Sequence, residues 1–535
     1  MRSSGTVLGW IVVAALCTAV PLASAQKRAN KQAPSSGAIS EALKAYEAKN
    51  YQEAALGFKA VADRKGGDSQ RADFFLAKSL YHLKFFQAAL AIFDQIVQAG
   101  PTHPYFDQTL QWLGQLAAEL PESAGIIEKV GQYDAAKLEQ FNTKENKDLY
   151  QHILYLMARY KYNKGEFSEA IRLFSKVSKD SKWFARAKLF EGISHVRERR
   201  ARPAIAAFRA VVDAHEDGTL NAGEDEDRLV DLAWLSLARV YYKAANKVDP
   251  ATGERKIDGR VLGNAVEAWN AIEQGSEYWL DAMFEESWAF FLADEYSRSL
   301  GNIHTLTSPY FEDAYYPEAY VLKAVVFFYN CQMDNASAMV AKFHEIYDPV
   351  QGKLQTVLAQ HQDNQKFYQF LRDVRAGNAN LPPEINGVVS SALSDRELLR
   401  HLEYIRMLEE EEKRLAGMPP SFKNSELGGQ ILQDIALGKS FAIDQAGDLA
   451  RTRYNRLIEE LQDLMNQVDT VHVEILSYTR GQLSQEMQSQ QLEASRTGRG
   501  DVEVDEEHQM WPFNGEYWRD ELGFYRQQVT ARCGR

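Results

Sequence analysis

The chain reads as all-α: a superhelix of short helix pairs, then a long helical coiled-coil hairpin, then a short aromatic C-terminal segment. Three observations carry this. Apolar residues recur at helical spacing, while alternating strand patterns are absent through most of the chain. Blocks about 34 residues apart resemble one another. The 535 residues are too many for one compact core, which favours several domains or a repeat array.

Residues 1–25, MRSSGTVLGWIVVAALCTAVPLASA, read as a secretory signal: one Arg, an apolar stretch from Val7 to Val20, then Ala23-Ser24-Ala25 as an A-x-A cleavage site. A membrane anchor is the competing reading, but the run is short of the roughly 20 residues a span needs. Cys17 follows Leu16 where a lipidation site expects a small residue, which argues against lipid attachment. The mature chain then starts at Gln26, in the periplasm or, as the alternative, outside the cell. Its net charge of -13 becomes more negative once Arg2 is removed, which disfavours nucleic acid and anionic membrane surfaces as partners.

A linker over 26–37 leads into a repeat array over 38–350. KYNKGEFSEAIRLFSKV and RERRARPAIAAFRAVV place Ala170, Phe174 and Val177 34 residues before Ala204, Phe208 and Val211. Phe58 and Phe93 recur similarly in an earlier pair of blocks. Small residues at such positions let the two helices of a pair touch, and large ones fill the gap to the next pair. Here the chain resembles the tetratricopeptide repeat family: Ala77, Ala89, Phe93 and Pro101 match its positions, although the usual Trp and Tyr of the first helix are missing from that repeat. The resemblance implies a binding superhelix, with a concave face that takes extended peptides or partner helices. Between Ala238 and Ala265 an insertion, NKVDPATGERKIDGRVLG, reads as a polar surface loop.

Residues 351–492 form a helical region. KLQTVLAQHQDNQKFYQFLRDVRAG reads as one helix, and two longer helices, about 386–416 and 426–490, flank GMPPSF. Tyr454, Leu457, Leu461, Leu464, Val468, Val471, Ile475 and Tyr478 alternate steps of three and four, a coiled-coil seam. Two arrangements satisfy it: an antiparallel hairpin within the chain, or self-association of two chains through the 454–478 heptads. Residues 493–510 are acidic, without apolar periodicity, and read as a disordered linker.

The segment 511–535 begins WPFNGEYWRDELGFYR, with six aromatic residues in sixteen. Such a payload is expected to dock on the body, with WRDELGFYR as a short helix, or to serve as a docking peptide for another protein. Cys331 and Cys533 remain after signal cleavage: in an oxidising compartment they form a disulfide, or they are a buried thiol and an unrelated tail thiol.

No catalytic residue, cofactor or metal site is expected. GKS at Gly438–Ser440 lacks the earlier glycine of a phosphate loop, and there is no H-E-x-x-H, no G-x-S-x-G and no cysteine pair at ligand spacing. The acidic run Asp213–Asp227 does not fit a calcium loop and reads as a solvated inter-repeat loop. Candidate partner contacts are Trp234, Tyr241, Trp269, Trp279, Trp288, Tyr310, Trp511, Phe513 and Trp518, each weighed against ordinary packing between helices.

The block Ser287–Cys331 together with the WPFNGEYWRDELGFYR ending resembles periplasmic tetratricopeptide proteins of myxobacterial adventurous gliding motility. That resemblance implies a scaffold within a trans-envelope machine, with envelope or periplasmic proteins as partners. The function expected is therefore a non-enzymatic periplasmic scaffold for a cell-envelope complex. The alternative is a cell-wall accessory factor that presents or regulates a peptidoglycan enzyme.

Overall fold

The computed structural model describes residues 36–249, 251–253, 255–311, 314–393, 395–488, 513–531 and 533. The expected signal segment, most of the following linker, the acidic linker and Trp511 lie outside these residues. Helices dominate. The first pairs are α1 (Ser36–Glu47) with α2 (Tyr51–Ala62), and α3 (Ser69–His82) with α4 (Phe86–Ala99). Next, α5 (Phe106–Glu119) is followed only by the short α6 (Ile126–Val130), the degenerate unit. Then come α7 (Lys147–Asn163) with α8 (Phe167–Phe174), α9 (Phe184–Arg197) with α10 (Ala201–Glu216), and α11 (Glu226–Ala245) with α12 (Gly259–Asn270). The last pairs are α13 (Trp279–Leu292) with α14 (Tyr296–Leu306), and α15 (Pro317–Tyr329) with α16 (Met333–Gln360).

The pairs close as the small residues require. Ala77, Ala89 and Phe93 are fully buried, with the alanines where helices meet and the ring between pairs. At Gly192 a Cβ would come 2.4 Å from the Phe208 ring, so only glycine admits this packing. The turn inside six pairs repeats one device: the second residue after the first helix adopts positive φ. Those residues are Lys49 (59°), Lys84 (63°), Gly165 (75°), Arg199 (60°), Asp294 (61°) and Cys331 (53°). Glycine, the residue best suited to this conformation, fills only one of the six. The insertion after α11 is a small antiparallel ribbon, β1 (Asn246–Val248) and β2 (Arg255–Ile257), with Lys247 opposite Lys256.

Beyond the repeats the segmentation differs from expectation. Residues 353–377 are not one helix. α16 runs on to Gln360, and α17 (Asn364–Arg375) starts afresh where the Asp363 side chain accepts from the Lys366 amide at 2.8 Å. α18 (Pro383–Ala392) and α19 (Arg396–Ala416) are likewise separate, because Asp395 caps α19 through the Glu397 amide at 2.8 Å. An unmatched amide at a helix start is satisfied by such a carboxylate, so each Asp re-sets the chain direction. The short α20 (Pro420–Lys423) then leads into α21 (Glu426–Gln488).

α19 and α21 form the antiparallel hairpin, but not a free arm. α21 packs along α17, α16 and α15 as well as α19, and it also reaches α4 near the start of the array. The heptad residues are consumed there: Tyr454, Leu457, Leu461, Val468 and Ile475 are buried, with the Phe367 ring 5.5 Å from that of Tyr454. Self-association through 454–478 therefore lacks its interface, because α16 and α17 occupy the seam. At the other end Phe422 stacks on Phe85 at 6.2 Å and Tyr404 Oη donates to Gln87 Oε1 at 2.5 Å. The arc of helix pairs is thus tied end to end. One continuous apolar core holds residues of α1–α8 together with residues of α14–α21, and a second core belongs to the middle pairs, Phe184 to Ala289.

Glu411 is the polar fastener of this closure. It is 3 % exposed, and its carboxylate accepts from the Gln87 amide at the start of α4 at 3.1 Å. Burial pushes its pKa up to about 8 against the pull of the Gln87 and Phe86 amides. A folded-state pKa raised above the unfolded one means that the folded chain holds more protons. The contribution to stability is then full below about pH 4.5 and lost as the pH rises through about 8. Glu411→Gln keeps an acceptor for the amides and has no charge to bury. It is expected to flatten the fall in unfolding free energy between these pH values, measured by denaturant titration at each pH.

Candidate functional site

Most of the expected site residues that the structure describes fall into two places, and a third place stands apart from them. Phe513, Trp518 and Tyr310 meet around α14, where the C-terminal segment docks. Only Arg519–Glu521 forms a helical turn, so the expectation of a short helix over WRDELGFYR is corrected: the segment is mostly extended. The cause is local. Gly523 has φ +91°, and its N–H donates to Thr305 Oγ1 at 3.0 Å, while the Gln527 N–H donates to the Ser297 carbonyl at 3.2 Å. These donors are spent on α14, not on a helix of the segment's own. The segment crosses directly over Gly301, where a Cβ would lie 1.7 Å from the Tyr525 carbonyl oxygen.

Around this crossing His304 stacks on Tyr517 at 4.8 Å, and the Phe513 and Tyr525 rings stand edge-on at 4.6 and 5.0 Å. Burial, with Lys323 adding to it, lowers the His304 pKa to about 4, so the ring is neutral near pH 7. Leu522 is the buried anchor, and Gly523 lies against Trp279 and Met283. Tyr310 Oη donates to the Tyr517 carbonyl at 3.2 Å, and Gln332 Nε2 to the Thr530 carbonyl at 2.9 Å. Cys331 and Cys533 are joined by a disulfide, with Cα atoms 5.1 Å apart. Cys331 is the positive-φ residue of the α15–α16 turn, which projects it toward the segment. The docked segment still presents rings to solvent: Phe513 (48 %), Trp518 (59 %) and Phe524 (66 %), beside Tyr310 (51 %). Gly301→Val is expected to expel the segment while leaving α14 helical, so that trypsin cuts at Arg519 faster than in the parent chain.

Trp269 and Trp288 share a second place, a cleft of about 550 Å³ with Tyr242 and the exposed Val248 of β1. Trp269 is nearly fully buried and donates its indole N–H to Glu285 at 3.2 Å, so packing accounts for it. Trp234 and Tyr241 lie half-buried on α11 and are not among the residues that line this cleft, and Trp234 carries Arg209 over its ring at 5.0 Å.

The third place contains none of the expected residues. Between α19 and the repeats α5, α7, α9 and α11 lies a cleft of about 880 Å³. The chain's own α19 thus lies across these repeats. Arg400 pairs with Glu122 at 3.1 Å, Arg396 with Glu277 at 2.5 Å, and the Ser123 hydroxyl donates to the Arg400 carbonyl at 3.1 Å. Asp225, from the acidic run, is held by both Arg186 and Arg228. Burial raises its pKa, but Arg228 and Arg186 outweigh that and leave it low. No group of three or more metal-ligating side chains occurs among the described residues, and no described helix is long and apolar enough to cross a membrane. Sequence reasoning missed this cleft because its charges come from repeats and hairpin far apart in the chain.

Residues 39–104 match the tetratricopeptide repeat family model. No curated protein matches the chain. Among solved structures, the chain is similar to the P58(IPK) TPR domain, at 11 % identity over 76 % of this chain and 98 % of that one, with a TM-score of 0.18. It is also similar to a circular tandem repeat protein with novel repeat topology and enhanced subunit contact surfaces, at 12 % identity over 82 % and 99 %, with a TM-score of 0.12.

Proposed function

We propose, from the tetratricopeptide match over residues 39–104 and the helix pairs that follow it, that the chain is a non-enzymatic scaffold of a bacterial cell-envelope complex, acting in the periplasm. The observation that carries the reading is the docked C-terminal segment. It is bonded to α14 and disulfide-linked to the α15–α16 turn, yet it turns Phe513, Trp518 and Phe524 outward beside Tyr310. Aromatic rings on a rigid support are the usual anchors of protein interfaces, since little rotamer freedom is lost on binding. A disulfide agrees with an oxidising compartment, and so does the apolar run that precedes Ala23-Ser24-Ala25. The envelope assembly meant is a multi-protein one, of which gliding machinery is the instance that the Ser287–Cys331 block resembles.

The test is recovery of the tagged protein from cells after mild crosslinking, with co-purifying proteins identified by mass spectrometry. Three forms are compared: the full chain, a form ending at Gln509, and the Trp518→Ala/Phe524→Ala double variant. Loss of defined envelope proteins from the double variant, with its melting temperature unchanged, is the expected result. Recovery of the same proteins with all three forms would move the binding surface off the segment, and recovery of none would sink the scaffold reading.

A further inference from the structure

The cleft under α19 is a charge anomaly. The chain as a whole carries a net charge of -13, yet the cleft is lined by six arginines, including Arg186, Arg228, Arg375 and Arg400, against four carboxylates. The pairing explains how so many guanidinium groups are kept together. Glu122 is shared by Arg159, at 2.8 Å, and Arg400, at 3.1 Å. Asp225 is shared by Arg186 and Arg228. Glu122 and Asp225 each orient two guanidinium groups, Arg396 is matched by Glu277, and Arg406 is held by Glu403 and Glu410, so one positive charge remains uncompensated among these fixed groups. Arg375, at the end of α17, adds to them from the rim and is exposed.

The wall between these pairs is aromatic. Trp183 stacks on His152 at 4.0 Å and on Tyr155 at 5.2 Å, and its indole N–H is buried without a hydrogen-bond partner. Burial lowers the His152 pKa to about 3, with Lys182 adding to it, so this ring does not supply charge.

We propose that this cleft is a binding site for a small polyanion, a molecule carrying two or more phosphate or carboxylate groups. Guanidinium forks match such groups in a bidentate manner, and forks already held by carboxylates lose little freedom on binding. The volume suits a small ligand rather than a protein segment. α19 lies along the cleft and supplies Arg396, Arg400 and Arg406 itself, so a partner helix has no room on this face. This inference does not rest on the scaffold reading, because it concerns a different face of the molecule.

The experiment is isothermal titration of the full chain with sodium tripolyphosphate and, separately, with citrate, at physiological salt. The parent is compared with Arg375→Gln, Arg400→Gln and the double variant. Arg375 is exposed at the rim, so its substitution leaves the fold in place. The expected result is one site per chain for at least one of the two probes, weakened about tenfold by each substitution, as the loss of one charged hydrogen bond implies. Preference for tripolyphosphate assigns the phosphate class, and preference for citrate the carboxylate class. No heat with either probe up to millimolar concentration overturns the proposal. So does binding that is unchanged in the Arg375→Gln variant and the double variant, since the anion then sits elsewhere.

Discussion

Cys533→Ser is expected to lower the unfolding free energy by about 2–4 kcal/mol, the usual effect of removing a native disulfide that closes a long loop. The loop here spans 202 residues. The same substitution loosens the C-terminal segment, because the remaining ties are non-covalent: Leu522 in its pocket, the hydrogen bonds to Thr305, Ser297, Tyr310, Gln332 and Gln274, and the rings around His304. Two measurements check this. Chemical denaturation under non-reducing conditions gives the free energy, and limited trypsin digestion gives the rate of cutting at Arg519 and Arg526. If the serine variant keeps both the parental free energy and the parental protection, the non-covalent contacts alone hold the segment, and the disulfide is not a fastener.

Phe422→Ala is expected to cost about 3–5 kcal/mol, the range for deleting a fully buried phenylalanine. Phe422 is 1 % exposed and sits where the hairpin meets Phe85 at the start of α4. Its removal acts on a joint, so the effect goes beyond a cavity. The first repeats lose their link to α19 and α21, and the tied arc opens at that point. Small-angle scattering should report a larger radius of gyration, and thermal unfolding should separate into two transitions, with the early repeats melting first. A variant that melts in one step with unchanged dimensions would show that Glu411 and Tyr404 suffice to hold the closure.

The repeats were legible because a helix pair leaves a periodic imprint: Ala77, Ala89 and Phe93 stand where packing allows little else. The turns inside the pairs were less so. Their positive-φ residues are mostly Lys, Arg, Asp and Cys, and the glycine that would betray such a turn appears only at Gly165. The heptad seam from Tyr454 to Tyr478 announced a partner but could not choose it, since α16 and α17 offer ridges of the same spacing as a second chain would. The aromatic segment announced burial of its rings, yet of the described ones only Tyr517 and Tyr525 are partly covered. Leu522 is buried, while Trp518 and Phe524 stay in solvent, because the path of the backbone was set by Thr305, Ser297 and the bare surface of Gly301. The arginine cleft left no local trace at all: Glu122, Asp225 and Arg400 are unremarkable on their own helices and become a cluster only when α19 lies across the repeats.

The tied arc also sets an order of assembly. Contacts within helix pairs join residues a few tens of positions apart, and these form early because little loop entropy opposes them. The link between α4 and the α20–α21 region joins Phe85 to Phe422, and the disulfide needs Cys533. A chain emerging from its N-terminus therefore spends its synthesis as an open row of pairs, with Phe85 uncovered and Cys331 a free thiol. Only when the last residues arrive does the row become a ring.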